Sequence, residues 1–220
     1  PFDPSKDFAP VILLSNVPNV LILNKKFATE NGINDVQTLV DYLKQHGDKV
    51  NYASGGNGSA GHLAGELFKQ RAAVDMLHIP YQGANPAKMA LLANQTQLMF
   101  DNLASSLPQI KADEVVALAV TTAERSSFLS EVPTLEESGI ANFDISTWFG
   151  VVAPAGTPEA IIEKLNQAYA EGMKDERVQQ QMRNMASDLE PGSAQDFTNY
   201  AKEELAKYQE MIKSAAIKLD

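Results

Sequence analysis

Between residues 35 and 121 segments with helical periodicity alternate with short apolar runs, and this alternation restricts the possible folds more than any other feature of the chain. Val36, Leu39, Val40 and Leu43 recur at three- and four-residue intervals, which predicts a helix over 35–45 with Asn34 or Asp35 as its cap. The pattern continues as strand 50–53, helix 60–71, strand 76–79, helix 86–93, strand 97–100, helix 104–111 and strand 115–121. Strands separated by single helices at this spacing build βαβ units, so the expected class is α/β with a largely parallel sheet.

Outside that region the texture changes. Residues 9–23 are apolar but broken by Ser15, Asn16, Pro18 and Asn19, short of the ~20 residues a membrane-spanning helix needs. They are expected to form two strands, 10–14 and 19–24, with Pro18 marking a bend or a crossing between domains. Residues 143–153 carry Trp148 and Phe149 and end in a strand over 151–153; Thr157 and Pro158 then supply an N-cap and a first helical position. Two long amphipathic helices are expected over 159–185, interrupted near 172–175, and over 194–215, the latter with Phe197, Tyr200, Ala201, Leu205, Tyr208 and Ile212 on one face.

The stretch Asn51-Tyr-Ala-Ser-Gly-Gly-Asn-Gly-Ser-Ala-Gly-His62 leads from a strand through a glycine-rich turn into a helix. A helix N-terminus carries roughly half a positive charge and up to about four unbonded N–H donors, so such a turn can hold a carboxylate or phosphate without a lysine or arginine. Ser54, Asn57 and Ser59 add side-chain donors, and Ser59 or Asn57 is a candidate N-cap. A P-loop would need Lys-Ser or Lys-Thr after the last glycine, and here Ser59 is followed by Ala60 and Gly61, which argues against a nucleoside triphosphate. A second strand-to-helix turn holds Tyr81 and Gly83, with a helix beginning near Pro86, and a third position on the same sheet edge is Asp101-Asn102, where Asp101 is either a cap or a ligand contact. In open α/β sheets ligands bind at the carboxyl ends of strands, which puts these turns on the right edge for a shared pocket.

The 18 basic and 28 acidic residues give a formal net charge of −10, and the basic ones are scattered, so neither nucleic acid nor an anionic membrane is an expected partner. With no cysteine there is no disulfide, no zinc ribbon and no thiol nucleophile. His46, His62 and His78 show no metal-ligand spacing, and no metal or cofactor is expected. Ser59 and His62, three apart at a helix start, lack both the Gly-x-Ser-x-Gly elbow and a third partner, so an enzyme, such as a hydrolase using this pair, is the weakest reading.

Across nearly its whole length the chain resembles the substrate-binding proteins of tripartite tricarboxylate transporters, the Bug-type periplasmic receptors. The resemblance rests on Asp7-Phe-Ala-Pro-Val11, the turn from Asn51 to Ser59, His62-Leu-Ala-Gly-Glu-Leu-Phe68, Ile79-Pro-Tyr-Gln-Gly83, Met99-Phe-Asp-Asn102, Ala117-Leu-Ala-Val-Thr121, Val132-Pro-Thr-Leu135, Trp148-Phe-Gly150 and Ala153-Pro-Ala-Gly-Thr-Pro158, in the family's order. It implies a periplasmic binding protein type II fold, two α/β lobes with a ligand cleft between them. The family's opening glycine-rich βαβ segment has no counterpart here, so the first lobe is expected to be N-terminally truncated. Transferred to this numbering, the first lobe takes residues 1–17 plus 123–220 and the second 18–122. The resemblance further implies a periplasmic solute receptor without enzymatic activity that captures a di- or tricarboxylate or related acid for the transporter's membrane permease subunits; the alternative on the same fold is a ligand-dependent signalling partner of a membrane sensor. The implied ligand contacts are Ser54, Gly55, Asn57, Gly58 and Ser59 around one carboxylate, Tyr81 and Gly83 at a neighbouring oxygen or water, and Asp101 and Asn102 along the wall. Trp148 either caps the cleft or packs at the hinge.

Overall fold

A computed structural model describes residues 2–189 and 191–214. The chain divides into two compact units, one of Pro1–Val17 and Trp148–Glu210, the other of Pro18–Thr147 and Met211–Asp220.

A single 17-residue strand, β1 (Phe8–Asn24), contributes its first half to unit 1 and its second half to unit 2. Two strands with a kink were expected here. Pro18 does not break the strand: it falls between the residues paired with a later strand at Ser15 and Asn16 and those paired from Asn19 onward.

In unit 2, β1 is followed by α1 (Lys25–Glu30), capped by the Asn24 side chain accepting from Phe27 N at 2.9 Å, and by α2 (Val36–His46). Asp35 is the cap of α2, in a capping box with Thr38. Then come β2 (Asn51–Ser54), α3 (Ala60–Ala72), β3 (Leu77–Pro80), α4 (Ala84–Leu92), β4 (Leu98–Asn102), α5 (Leu103–Lys111) and β5 (Val115–Val120), each within a few residues of its expected span. The sheet order is β3-β2-β4-β1-β5. β2 pairs in parallel with β3 and β4, as the βαβ pattern requires, whereas β1 runs antiparallel to both β4 and β5. The sheet is therefore mixed rather than largely parallel, because no crossover helix joins β1 to its neighbours and a strand entering from the other unit is free to run the opposite way. Tyr52, Phe68, Phe100 and Phe143 are fully buried together with Leu21, Ile22 and Leu23. Each such side chain stabilises the fold by about 1.5–3 kcal/mol. Because α3 packs on β2 and β4, its N-terminus is held at the carboxyl ends of those strands.

In unit 1 the first half of β1 pairs with β7 (Asp188–Leu189), a short strand the sequence pattern does not signal, and β1 also pairs with β6 (Ser146–Pro154). The helices are α6 (Glu159–Gly172), α7 (Glu176–Asn184) and α8 (Ala194–Ser214), so the interruption expected near 172–175 is real; residue 215, the expected end of the last helix, lies outside the described residues. Asp175 restarts the helix by accepting from Arg177 N at 2.8 Å. Thr157 is not the cap of α6: its hydroxyl donates to Pro154 O at 2.7 Å, closing the turn, and Pro158 occupies the cap position. Val11, Ile12, Ala153, Ile162 and Met173 form the core, and Asn166 Nδ2 ties α6 to it by donating to Val11 O and Gly192 O, both at 2.9 Å. Trp148 meets Phe197 and Tyr200 of α8 edge-on, at 5.7 and 6.0 Å between ring centroids. Of the expected apolar face of α8, Phe197 is buried but Leu205 is exposed, the inward position being taken by Glu204. An apolar cavity of about 300 Å³ is lined by Leu14, Tyr169, Met173, Val178, Met182 and Leu189.

Candidate functional site

The turn between β2 and α3 begins at Ser54, buried at the last position of its strand, and ends at Ser59, whose Oγ accepts from His62 N at 3.3 Å. Ser59, not Asn57, is thus the N-cap of α3. Gly56 and Gly58 have φ of +130° and +77°, values that only glycine adopts without strain. Gly61 serves a different purpose. A Cβ there would lie 2.5 Å from the Phe100 carbonyl oxygen, so its lack of a side chain lets the first turn of α3 press onto β4 beside Asp101 and Asn102.

The turn between β3 and α4 lies directly against the first. Tyr81 N donates to Ser54 O at 3.0 Å and Gly83 N to Gly55 O at 3.1 Å, and a Cβ on Gly55 would stand 3.2 Å from Ala84 N. The two turns therefore form one continuous surface at the carboxyl edge of the sheet. Part of its donor set is used internally: Gly56 N donates to Ser54 Oγ at 3.1 Å, Gly58 N to His62 Nδ1 at 3.0 Å and Ser59 N to Gly56 O at 3.2 Å. The backbone amides of Gly55, Ala60 and Gly61 meet no acceptor among the described residues. Two of these three belong to the first turn of α3, where the helix dipole adds to their attraction for an anion.

At the end of β4, Asn102 is the cap of α5, accepting from Ala104 N at 3.1 Å, and Asp101 is not a cap. Asp101 is 3% exposed, and its Oδ2 accepts from Ser106 Oγ at 2.5 Å. Burial pushes its carboxyl above the usual carboxylate range, against the opposing pull of the Ser106 hydroxyl and the Lys88 charge. Lys88 itself, which the sequence does not single out, donates to Ser105 O and Oγ at 2.6 and 2.7 Å.

Beneath the glycine turn stands a column of rings that local sequence does not reveal. His62 and His78 stack face to face, 4.1 Å between centroids and 7° from parallel, and His78 stacks in turn on Tyr52 at 4.8 Å and 24°. The Tyr52 hydroxyl donates to Glu66 Oε1 at 2.6 Å, and Lys69 pairs with the same carboxylate at 3.0 Å. Burial favours a raised Glu66 pKa, but the Tyr52 and Lys69 contacts outweigh it and hold the group below its usual value. Burial lowers both histidines, His78 to about 4, with the neighbouring His62 adding to the effect on His78. His78 Nε2 lies 2.6 Å from Ser54 Oγ. No Ser59–His62 couple exists, because Ser59 meets the backbone nitrogen of His62 and the ring is occupied by Gly58. The serine that does touch an imidazole, Ser54, has no solvent exposure from which to attack a substrate. Among the described residues no group of three or more His, Asp or Glu is placed to hold a metal ion.

A family model described as "Tripartite tricarboxylate transporter family receptor" matches residues 1–217. A UPF0065 protein from the tcbD-tcbE intergenic region of Pseudomonas sp. strain P51 is 32% identical over 213 residues, which make up 96% of this chain and 62% of that protein, so the chain spans less than two-thirds of this relative's length. Among solved structures, an R. palustris protein with adipate superposes with a TM-score of 0.89 at 35% identity, covering 98% of this chain and 71% of that one. MatC from Rhodopseudomonas palustris with bound malate gives 0.86 at 28% identity, covering 96% and 71%.

Proposed function

The chain belongs to the tripartite tricarboxylate transporter receptor family, and on that premise we propose that it is a periplasmic receptor that captures a small organic carboxylate and passes it, chemically unchanged, to the transporter's membrane subunits. The observation that carries this reading is the joined pair of turns, Ser54–Tyr81 and Gly55–Gly83, with the amides of Gly55, Ala60 and Gly61 left open. A carboxylate accepts several N–H bonds at once, and a helix N-terminus favours its charge without a buried cation. Asn57, Gly58 and Ser59 border the same anion position, Ser54 braces it from below, Tyr81, Gly83 and Asn102 line the approach, and Asp101, buried and bound by Ser106, supports the end of β4. The ligand class follows from the two relatives, one solved with adipate and one with malate, both dicarboxylates. Among the described residues no helix is long and apolar enough to cross a membrane.

Calorimetry against C4 to C6 dicarboxylates, citrate and aromatic acids tests the proposal. Saturable binding of at least one acid, recovered unaltered after incubation, is the expected result. No binding by any member of the panel, or conversion of a bound acid, overturns it.

A further inference from the structure

The hydrogen bond from Gly58 N to His62 Nδ1 fixes more than a distance. A backbone N–H can only donate, so Nδ1 must be the unprotonated nitrogen, and His62 in this conformation is the neutral tautomer with its proton on Nε2. Protonating Nδ1 would set two N–H groups against each other at 3.0 Å and drive Gly58 away. The next ring constrains the same loop from the other end. The Ser54 hydroxyl lies 2.6 Å from His78 Nε2, which donates or accepts there according to its tautomer, and 3.2 Å from Gly56 O, while it accepts from Gly56 N at 3.1 Å. Both ends of the Gly56–Gly58 segment are thus hydrogen-bonded to a stacked imidazole pair, one directly and one through Ser54.

We propose that His62 and His78 position the anion-holding turn, and that protonation of the pair, beginning with loss of the Gly58–His62 bond, shifts the Gly56–Gly58 segment that links the open amide of Gly55 to those of Ala60 and Gly61, and so weakens their hold on a bound carboxylate. The inference rests on the reading of that turn as the ligand site. The groups facing the pair are the Tyr52 phenol from β2 and Glu66 and Lys69 from α3 itself; from β4, which also packs on α3, the one titratable group is Asp101, and its carboxylate is engaged by Ser106, while the helical turn Gly47–Lys49, which packs on β3, carries Asp48 and Lys49. Glu66 favours histidine protonation, but it is compensated by Lys69 and the Tyr52 hydroxyl, and each imidazole faces a partner that cannot also be charged without repulsion at 4.1 Å. Burial depresses both histidines, so the neutral, turn-holding state is complete above the ordinary histidine value near 6.5 and is lost as pH falls below it, with His78 following toward about 4. The receptor would hold its acid at neutral pH and yield it in acid.

Nitrogen-15 NMR of the unliganded full chain reads the device without any ligand. The expected spectra show His62 as the Nε2–H tautomer at pH 8 and a Gly58 amide resonance that shifts with an inflection matching the His62 titration. In His62→Asn, whose Oδ1 can accept from Gly58 but cannot titrate, that inflection disappears. His62 found as the Nδ1–H tautomer, or a Gly58 amide indifferent to its titration, overturns the proposal. Calorimetry with adipate or malate at pH 7.5 and 5 supplies the second arm: affinity drops about tenfold in the wild type, the equivalent of one pKa unit of linkage, and the ratio moves toward one in His62→Asn, which carries the ligand's own titration and so subtracts it. Equal pH ratios in the two proteins also overturn the proposal. Absence of binding by either acid at any pH counts against the carboxylate reading and leaves the NMR result to decide the histidine device.

Discussion

Gly61 shows how one missing methyl group sets the geometry of the turn. Its absent Cβ leaves room for the Phe100 carbonyl, a backbone atom that cannot swing aside as the end of a side chain would. Gly61→Ala must therefore displace the first turn of α3 from β4, at a cost in the overpacking range of about 1–3 kcal/mol, and carry the Ala60 and Gly61 amides away from their present positions. Urea denaturation is expected to show the destabilisation and calorimetry a loss of carboxylate affinity; unchanged values in both would mean that α3 tolerates the shift and that the amides are not the donors. The glycine spacing of this turn was legible in the sequence because strand, glycines and cap are contiguous. His62 and His78 were legible only as isolated residues. Their stacking depends on β2 and β3 pairing Tyr52 with His78 and on α3 folding back over both, contacts that no local pattern encodes.

Among the elements, α2 was the most readable, since its periodic apolar face and its acidic cap both lie within one short window. Asp35 Oδ1 accepts from Thr38 N at 2.7 Å and Thr38 Oγ1 accepts from Asp35 N at 3.1 Å, closing the box. The Thr38 backbone bond holds the Asp35 carboxyl below its usual value, so the cap's contribution is complete above about pH 4 and fades as the carboxylate protonates below it. Asp35→Ala is expected to lower stability by about 1 kcal/mol at pH 7, and the gap between the two proteins in urea melts should narrow toward pH 3. A gap that persists at pH 3 would trace the loss to packing instead. The strands were harder to read. Periodicity located β2, β3 and β4 but carried no information on direction, so the antiparallel placement of β1 and its passage through Pro18 emerged only with the sheet's partners in view. Unit 1 was legible in its helices and not in β7, whose two residues are too few to form a pattern.

For the molecule as a whole, the decisive quantity is the mismatch between a net charge of −10 and a proposed anionic cargo. A site made from backbone amides attracts over about one helical turn, whereas the acidic surface repels over the Debye length, about 10 Å at 0.1 M salt and 30 Å at 0.01 M. Lowering the ionic strength extends the repulsion without strengthening the amide contacts. A receptor holding its ligand with lysine or arginine would behave in the opposite sense, because dilution of salt would then deepen the attraction at the binding position itself. Titration of the full chain with malate at 0.01 M and 0.15 M salt is accordingly expected to give the weaker binding at the lower concentration, by less than about tenfold. Tighter binding at 0.01 M would place a net positive field over the site and would move the search for the carboxylate's partner from the α3 amides to a cation, of which Lys88, already beside the end of β4 through Ser105, is the first to test.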